Sequence, residues 1–177
     1  VALSFEDSAG TLITPEDPNV EAPLVAGIAF NRDEAAITLR GLPDRPGAAH
    51  AVLAPVSAAN IEVDMIVLNA PRDGRVDLTF TTHRDDHEAA LAAVRAALQD
   101  LPGVEADGDL TVAKLSVVGV GMRSHAGVAT RLFATLAEQG INVRLVATSE
   151  IKVSVLVDEH VLERGVRALH AAYGLEA

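Results

Sequence analysis

The stretch GLPDRPGAAHAVLAPVSAANIEVDMIVLN, residues 41–69, decides the fold, because the chain writes its pattern twice. Pro43, Pro46 and Gly47 are loop formers. Ala48 to Ala59 then carries apolar residues at helical spacing: Ala49, Val52, Leu53 and Val56. Pro55 falls inside this pattern, where it removes one backbone donor. Ile61 to Asn69 follows as a β-rich run. The second copy has a loop from Gly119 to Gly127 and a helix from Val128 to Glu138, with Leu132, Phe133 and Leu136 facing one way. A strand from Val143 to Ser149 comes next. One constant offset carries Gly47 onto Gly127, Ile61 onto Ile141 and Val63 onto Val143. An offset shared by loop, helix and strand marks a duplication.

Working outward from the first copy, Leu24 to Phe30 is a short apolar run that suits a strand, and Asn31 to Glu34 is a turn. Ala36 to Arg40 alternates apolar and polar residues as a second strand. Beyond Asn69, Arg72 to Arg75 supply a hairpin turn around Asp73-Gly74. Val76 to Thr82 alternates as a half-buried strand. Asp85 to Leu98 is an amphipathic helix with Leu91, Val94 and Leu98 on one stripe; Asp85 and Asp86 in its first turn favour the helix dipole. Pro102 and Gly103 stop it, and Val104 to Leu110 is another short strand. The order β-α-β-β-α-β is the split βαβ signature. In the second copy Val112 to Val118 is the first strand, Lys152 to Val157 the hairpin partner and Glu159 to Tyr173 the last helix.

The second copy ends one strand early, since only Gly174 to Ala177 remain. The unclaimed strand is Leu24 to Phe30. The expected architecture is therefore α+β, two ferredoxin-like modules with the first, 35–110, inserted within the second, 24–30 plus 112–177. Residues 1–23, acidic and punctuated by Pro15, Pro18 and Pro23, read as a linker with at most one short strand near Thr11 to Thr14.

Composition narrows the classes of function. The 177 residues carry a net charge of -11, which argues against nucleic-acid phosphate or anionic lipid as the main partner. Aromatics are only 3%, so Val, Leu, Ile and Ala must build the core. There is no Cys, which excludes disulfides, thiol nucleophiles and Cys-based zinc sites and suits a cytoplasmic protein. No apolar run approaches the roughly 20 residues that span a bilayer.

Catalytic constellations are sparse: there is no GxSxG, HExxH or P-loop. GVGMRS after a strand lacks the third glycine of a dinucleotide fingerprint, Ser124 standing there, and reads as a tight turn. His83, Asp85, Asp86 and His87 read as a solvated helix start rather than a metal cluster. His125 is either a ligand contact or a loop histidine. The informative places are the two strand-to-helix loops. Each opens a helix whose free backbone donors suit a carboxylate. Gly47 and Gly127 let backbone approach a ligand, and Asp44 suits an ammonium group. On chemistry alone the plainer use comes first: Asp44 as a turn or cap residue, and the glycines as turn geometry.

DRPG with its helix, then IEVDMIVLN and VDLTFT, resembles the first ACT module of bacterial aspartokinases. KLSVVGVGMRSHAGVATRLF, INVRLVATSEIKVSVLV and the helix containing ALHAAYGL resemble their second module. SFEDSAGTLIT is similar to the segment ending the kinase domain. The likeness covers nearly the whole chain. It implies a regulatory region that binds end-product amino acids, lysine and/or threonine, and mediates feedback inhibition of aspartate phosphorylation. It implies a homodimer working with a kinase catalytic domain or subunit, ATP and magnesium belonging to that partner. This chain alone is expected to be inactive. Carried over by matching position, Asp44, Gly47 and Ala48 fall in the first loop and Asn69 at the end of the following strand. Asn142 and Val143 fall on the facing strand of the other module. Ser124, His125, Gly127, Thr148, Ser149 and Glu150 fall in the second loop and strand turn. The family often has Gln where Leu68 stands, Pro at Ala126 and Ser at Ala147; Leu68 removes an amide that could hold the effector. A structural dimerisation module with no effector is the alternative.

Overall fold

The computed structural model describes residues 24–120 and 127–175. The short strand expected near Thr11 to Thr14 lies outside them. Among the described residues eight strands form two four-stranded antiparallel sheets. The first combines β2 (Glu34–Pro43), β3 (Ile66–Leu68), β4 (Arg75–His83) and β5 (Glu105–Asp109) in the order β3-β4-β2-β5. The second combines β1 (Leu24–Asn31), β6 (Val112–Val120), β7 (Leu145–Thr148) and β8 (Lys152–Asp158) in the order β1-β6-β8-β7. Helices α1 (Ala48–Ala58) and α2 (His87–Ala97) belong to the first module, α3 (Val128–Glu138) and α4 (Leu162–Tyr173) to the second. Strand β1 lies antiparallel along β6, from Leu24 opposite Val120 to Asn31 opposite Lys114.

Alternation along each strand sends one set of side chains to the helices. Ile37, Leu39, Leu78 and Phe80 meet Val52, Val56, Leu91 and Val94 in one core. Leu115, Val117, Val153 and Val155 meet Leu132, Leu136, Leu162 and Leu169 in the other. Each core is almost wholly aliphatic, as the scarcity of aromatics requires. The other sheet faces meet each other. Ala36, Met65 and Val67 of the first module pack on Val112, Leu145, Ala147 and Leu156 of the second in a small third cluster.

Several boundaries differ from the sequence reading. Glu34 opens β2 rather than ending a turn, so the β1–β2 turn is confined to Arg32 and Asp33. The run Ile61 to Asn69 is strand only over Ile66–Leu68, and Val143 to Ser149 only over Leu145–Thr148. Just before these strands single hydrogen bonds reach the neighbouring strand, Asp64 N–H donating to Thr81 O and Arg144 N–H to Leu156 O. Both expected second helices begin instead with a one-turn 3-10 helix, Arg84–Asp86 and Glu159–Val161. Pro55 stays inside α1. It frees the carbonyl of Ala51, an exposed residue, so water can hydrate that oxygen and the helix continues.

Candidate functional site

The first loop is built by the end of β2 and the start of α1. Asp44 N–H donates to Gly74 O (2.9 Å), tying the loop to the β3–β4 hairpin, and the Asp44 side chain is exposed. Gly47 caps α1 at φ 88°, in the left-handed region that favours glycine. Among the described residues no side chain caps this helix. Ala48 N–H turns back to Arg45 O (3.2 Å), and Ala48 is buried. The following amides, Ala49 and His50, have no intrahelical acceptor by geometry, so the loop ends in outward donors beside an exposed carboxylate. In the second module Gly127 caps α3 at φ 131°. Ser124 and His125 lie outside the described residues.

The remaining expected residues group at the edge strands. Asn69 follows β3, its N–H donating to Asp77 O (2.9 Å). Asn142 is exposed and Val143 half-buried on the stretch leading into β7. Thr148 ends β7, and Ser149 closes the hairpin: its N–H donates to Lys152 O (2.8 Å) and its Oγ accepts from Lys152 N–H (3.2 Å). Glu150 is exposed at that turn. Residues 61–70 and 141–150 run through the same order of buried, half-buried and exposed positions, so the two edges are copies in packing as well as sequence. Within one chain the first-loop residues and the Asn142–Val143 stretch belong to different modules.

Two clefts lie where the modules meet. One, of about 320 Å³, is lined by Arg40, Asp107, Asp109 and Arg144 around Ala36, Val112 and Leu145. The other, of about 370 Å³, is lined by Asn31, Glu34, Glu62, Asp64, His83 and Lys114. Among the described residues none of the expected effector positions lines either cleft. Ion pairs flank them. Lys114 Nζ lies 2.6 Å from Glu34 Oε1 and also pairs with Asp64; Arg144 pairs with Asp109 and, at 3.3 Å, with Asp158. Burial acts to lower the Lys114 pKa, but hydrogen bonds to Asp64 and Glu34 and their charges outweigh it, and the pKa is raised. Burial likewise acts to raise the Asp109 pKa, and hydrogen bonds from Thr111 and Arg144 hold it below its ordinary value. Sequence reading passed over these charges, because nothing in a single strand marks which charged residue faces another sheet.

His87 corrects the sequence reading directly. It is expected at a solvated helix start but is only 4% exposed, and among the described residues neither ring nitrogen has a hydrogen-bond partner. Its imidazole lies against Gly108 of β5.

ACT-domain family profiles match residues 37–101 and 115–173, one in each module. A solved structure of aspartokinase α and β subunits is 50% identical, with a TM-score of 0.78, and the match covers 85% of this chain and 99% of that one. The chain belongs to the aspartokinase family, as its ACT-domain regulatory part. Within this family the regulatory subunit of aspartate kinase from Thermus thermophilus, in its ligand-free form, is 37% identical over 84% of this chain and 97% of that one, with a TM-score of 0.80. The aspartate kinase of Stutzerimonas stutzeri is 54% identical over all of this chain. The chain spans 43% of the length of that aspartokinase.

Proposed function

We propose that this aspartokinase regulatory region binds an end-product amino acid, lysine and/or threonine, and transmits its presence to a kinase catalytic domain or subunit as feedback inhibition. The observation that carries the reading is the open first loop: exposed Asp44 beside the uncapped N-terminus of α1 behind Gly47. An amino acid's carboxylate suits the helix donors, and its ammonium suits Asp44. Asn69 of the same module and Asn142 and Val143 of a neighbouring module complete the pocket, and Gly127, Thr148, Ser149 and Glu150, with Ser124 and His125, form the equivalent second loop. A second copy supplies that neighbour, since one chain keeps these groups in separate modules. The same reading takes residues 35–110 as a module inserted within 24–30 plus 112–177, which the pairing of β1 with β6 supports. ATP and magnesium act in the catalytic partner, so this chain alone does not phosphorylate aspartate.

A second reading has its own support. Leu68, where a side-chain amide would help hold an effector, is 53% exposed and apolar, which suits contact with another chain. On that reading the region dimerises the kinase and senses nothing. Calorimetry with lysine, threonine, methionine and isoleucine separates the two. Binding heat with lysine or threonine, weakened by about 1–3 kcal/mol in Asp44→Ala, is the expected result. No heat with any of the four overturns it in favour of the structural reading.

A further inference from the structure

The duplication makes each position of the first module equivalent to one in the second. The offset that carries Gly47 onto Gly127 carries Glu34 onto Lys114 and Asp64 onto Arg144. Past the hairpins, register sets the equivalence. Ile66 lies opposite Phe80 as Val146 lies opposite Val155, so Arg84 corresponds to Glu159. The structure agrees independently, because Arg84 and Glu159 each open the 3-10 turn before the second helix of their module.

Two of these equivalent pairs touch each other. Glu34 Oε1 is 2.6 Å from Lys114 Nζ, and Arg84 Nη2 is 3.0 Å from Glu159 Oε2. A residue that meets its own equivalent sits on a twofold axis, so the two modules pack face to face as a pseudo-homodimer. In a true homodimer such positions would bring like charges together. Here both carry opposite signs. The next contact follows the same rule: Asp64 pairs with Lys114, whereas in a self-pair of first modules it would meet Glu34, and in a self-pair of second modules Arg144 would meet Lys114. Glu34 is 3% exposed, so a like charge beside it would have almost no water to screen it.

We propose that the open sheet faces are coded by charge. The first module's face accepts the second module's face and rejects a copy of itself, which fixes the intrachain pairing and leaves the strand edges, not these faces, for contact with a second chain. The repulsion built against the symmetric arrangement supplies the specificity.

The test is a pair of charge exchanges in the full chain, read by thermal midpoint at low salt and by hydrogen exchange of β2 and β6. Arg84→Glu and Glu159→Arg each place like charges on the axis and should lower the midpoint by several degrees, more than Arg84→Gln does. The exchange double variant should recover most of that loss. At the buried position Glu34→Lys and Lys114→Glu should do the same more strongly. Their exchange carries Asp64→Lys as well, because Asp64 also touches Lys114. Should the buried variants fail to fold, the half-exposed Arg84–Glu159 cycle decides alone. Exchange variants no more stable than the sum of their single losses, or reversals no worse than the neutral change, overturn the proposal.

Discussion

A Cβ placed on Gly108 would stand 2.1 Å from His87 Nε2 and 2.6 Å from Cε1, so strand and ring fit only because this residue has no side chain. Gly108→Ala is expected to cost about 1–3 kcal/mol, the usual penalty for overfilling a packed site. His87→Ala in the same chain should relieve much of it, because the two changes share one contact. Denaturant midpoints of the four chains measure the coupling, and strict additivity would refute the contact as the cause. The ring also buries two nitrogens without partners, Glu88 Oε1 standing 3.5 Å from Nδ1 without a hydrogen bond. Leu162 opens the equivalent helix and is fully buried. His87→Leu should therefore stabilise the first module by about 1 kcal/mol, by removing unpaired polar atoms from the core; a lowered urea midpoint would contradict this. The burial of His87 was hidden in the sequence because its neighbours Asp85 and Asp86 are polar. Comparison with Leu162 was the available signal. The glycines and Asp44 of the first loop were legible, since loop formers ahead of an apolar helical stripe mark a helix start with few alternatives.

At the scale of elements, the order of strands and helices could be read because each alternates or repeats with its own period. The short extent of β3 and β7 could not. Ile61 to Met65 has the composition of a strand, but the regular ladder with the neighbouring strand begins only at Ile66, and ladder length depends on that neighbour rather than on propensity. Strand β1 was found by counting elements. Its Val25 and Ile28 pack on the second core, and its backbone covers the outer side of β6. Removing residues up to Arg32 should expose β6 as an open edge and uncover that core. Amide exchange is expected to accelerate in β6 and β8 well before β2 and β4. Equal acceleration in both sheets would show that β1 supports the whole chain rather than its second module.

For the whole molecule, the contact between modules is polar at its margins, and its stability depends on pH with a predictable sign. The Asp109 carboxyl is held below its unfolded value, so its contribution is present above about pH 3.9 and is lost as pH falls through the lower folded value. Asp109→Asn should be less stable than the native chain at pH 6, with the gap closing below pH 4; a gap that persists in acid would assign the effect to packing. The proposed assembly with a second copy uses a different surface. Ile66 and Leu68 of β3 are 51% and 53% exposed, and Val146 of β7 is 37% exposed. They lie opposite Phe80, Leu78 and Val155, all core residues, so they extend the helix-side faces past the edge of each sheet. Both edges also carry unpaired backbone groups, and apolar edges of this kind invite another strand. In the proposed dimer the sheet faces are engaged within the chain and these edges unite two chains, each loop near Asp44 meeting a foreign strand near Asn142. Sedimentation at micromolar concentration should give a dimer. Ile66→Lys with Leu68→Lys should give a monomer of unchanged circular dichroism, because neither side chain fills a core, and should abolish amino-acid binding with the dimer. A monomeric native chain, or a lysine variant that still dimerises, would place the second copy elsewhere.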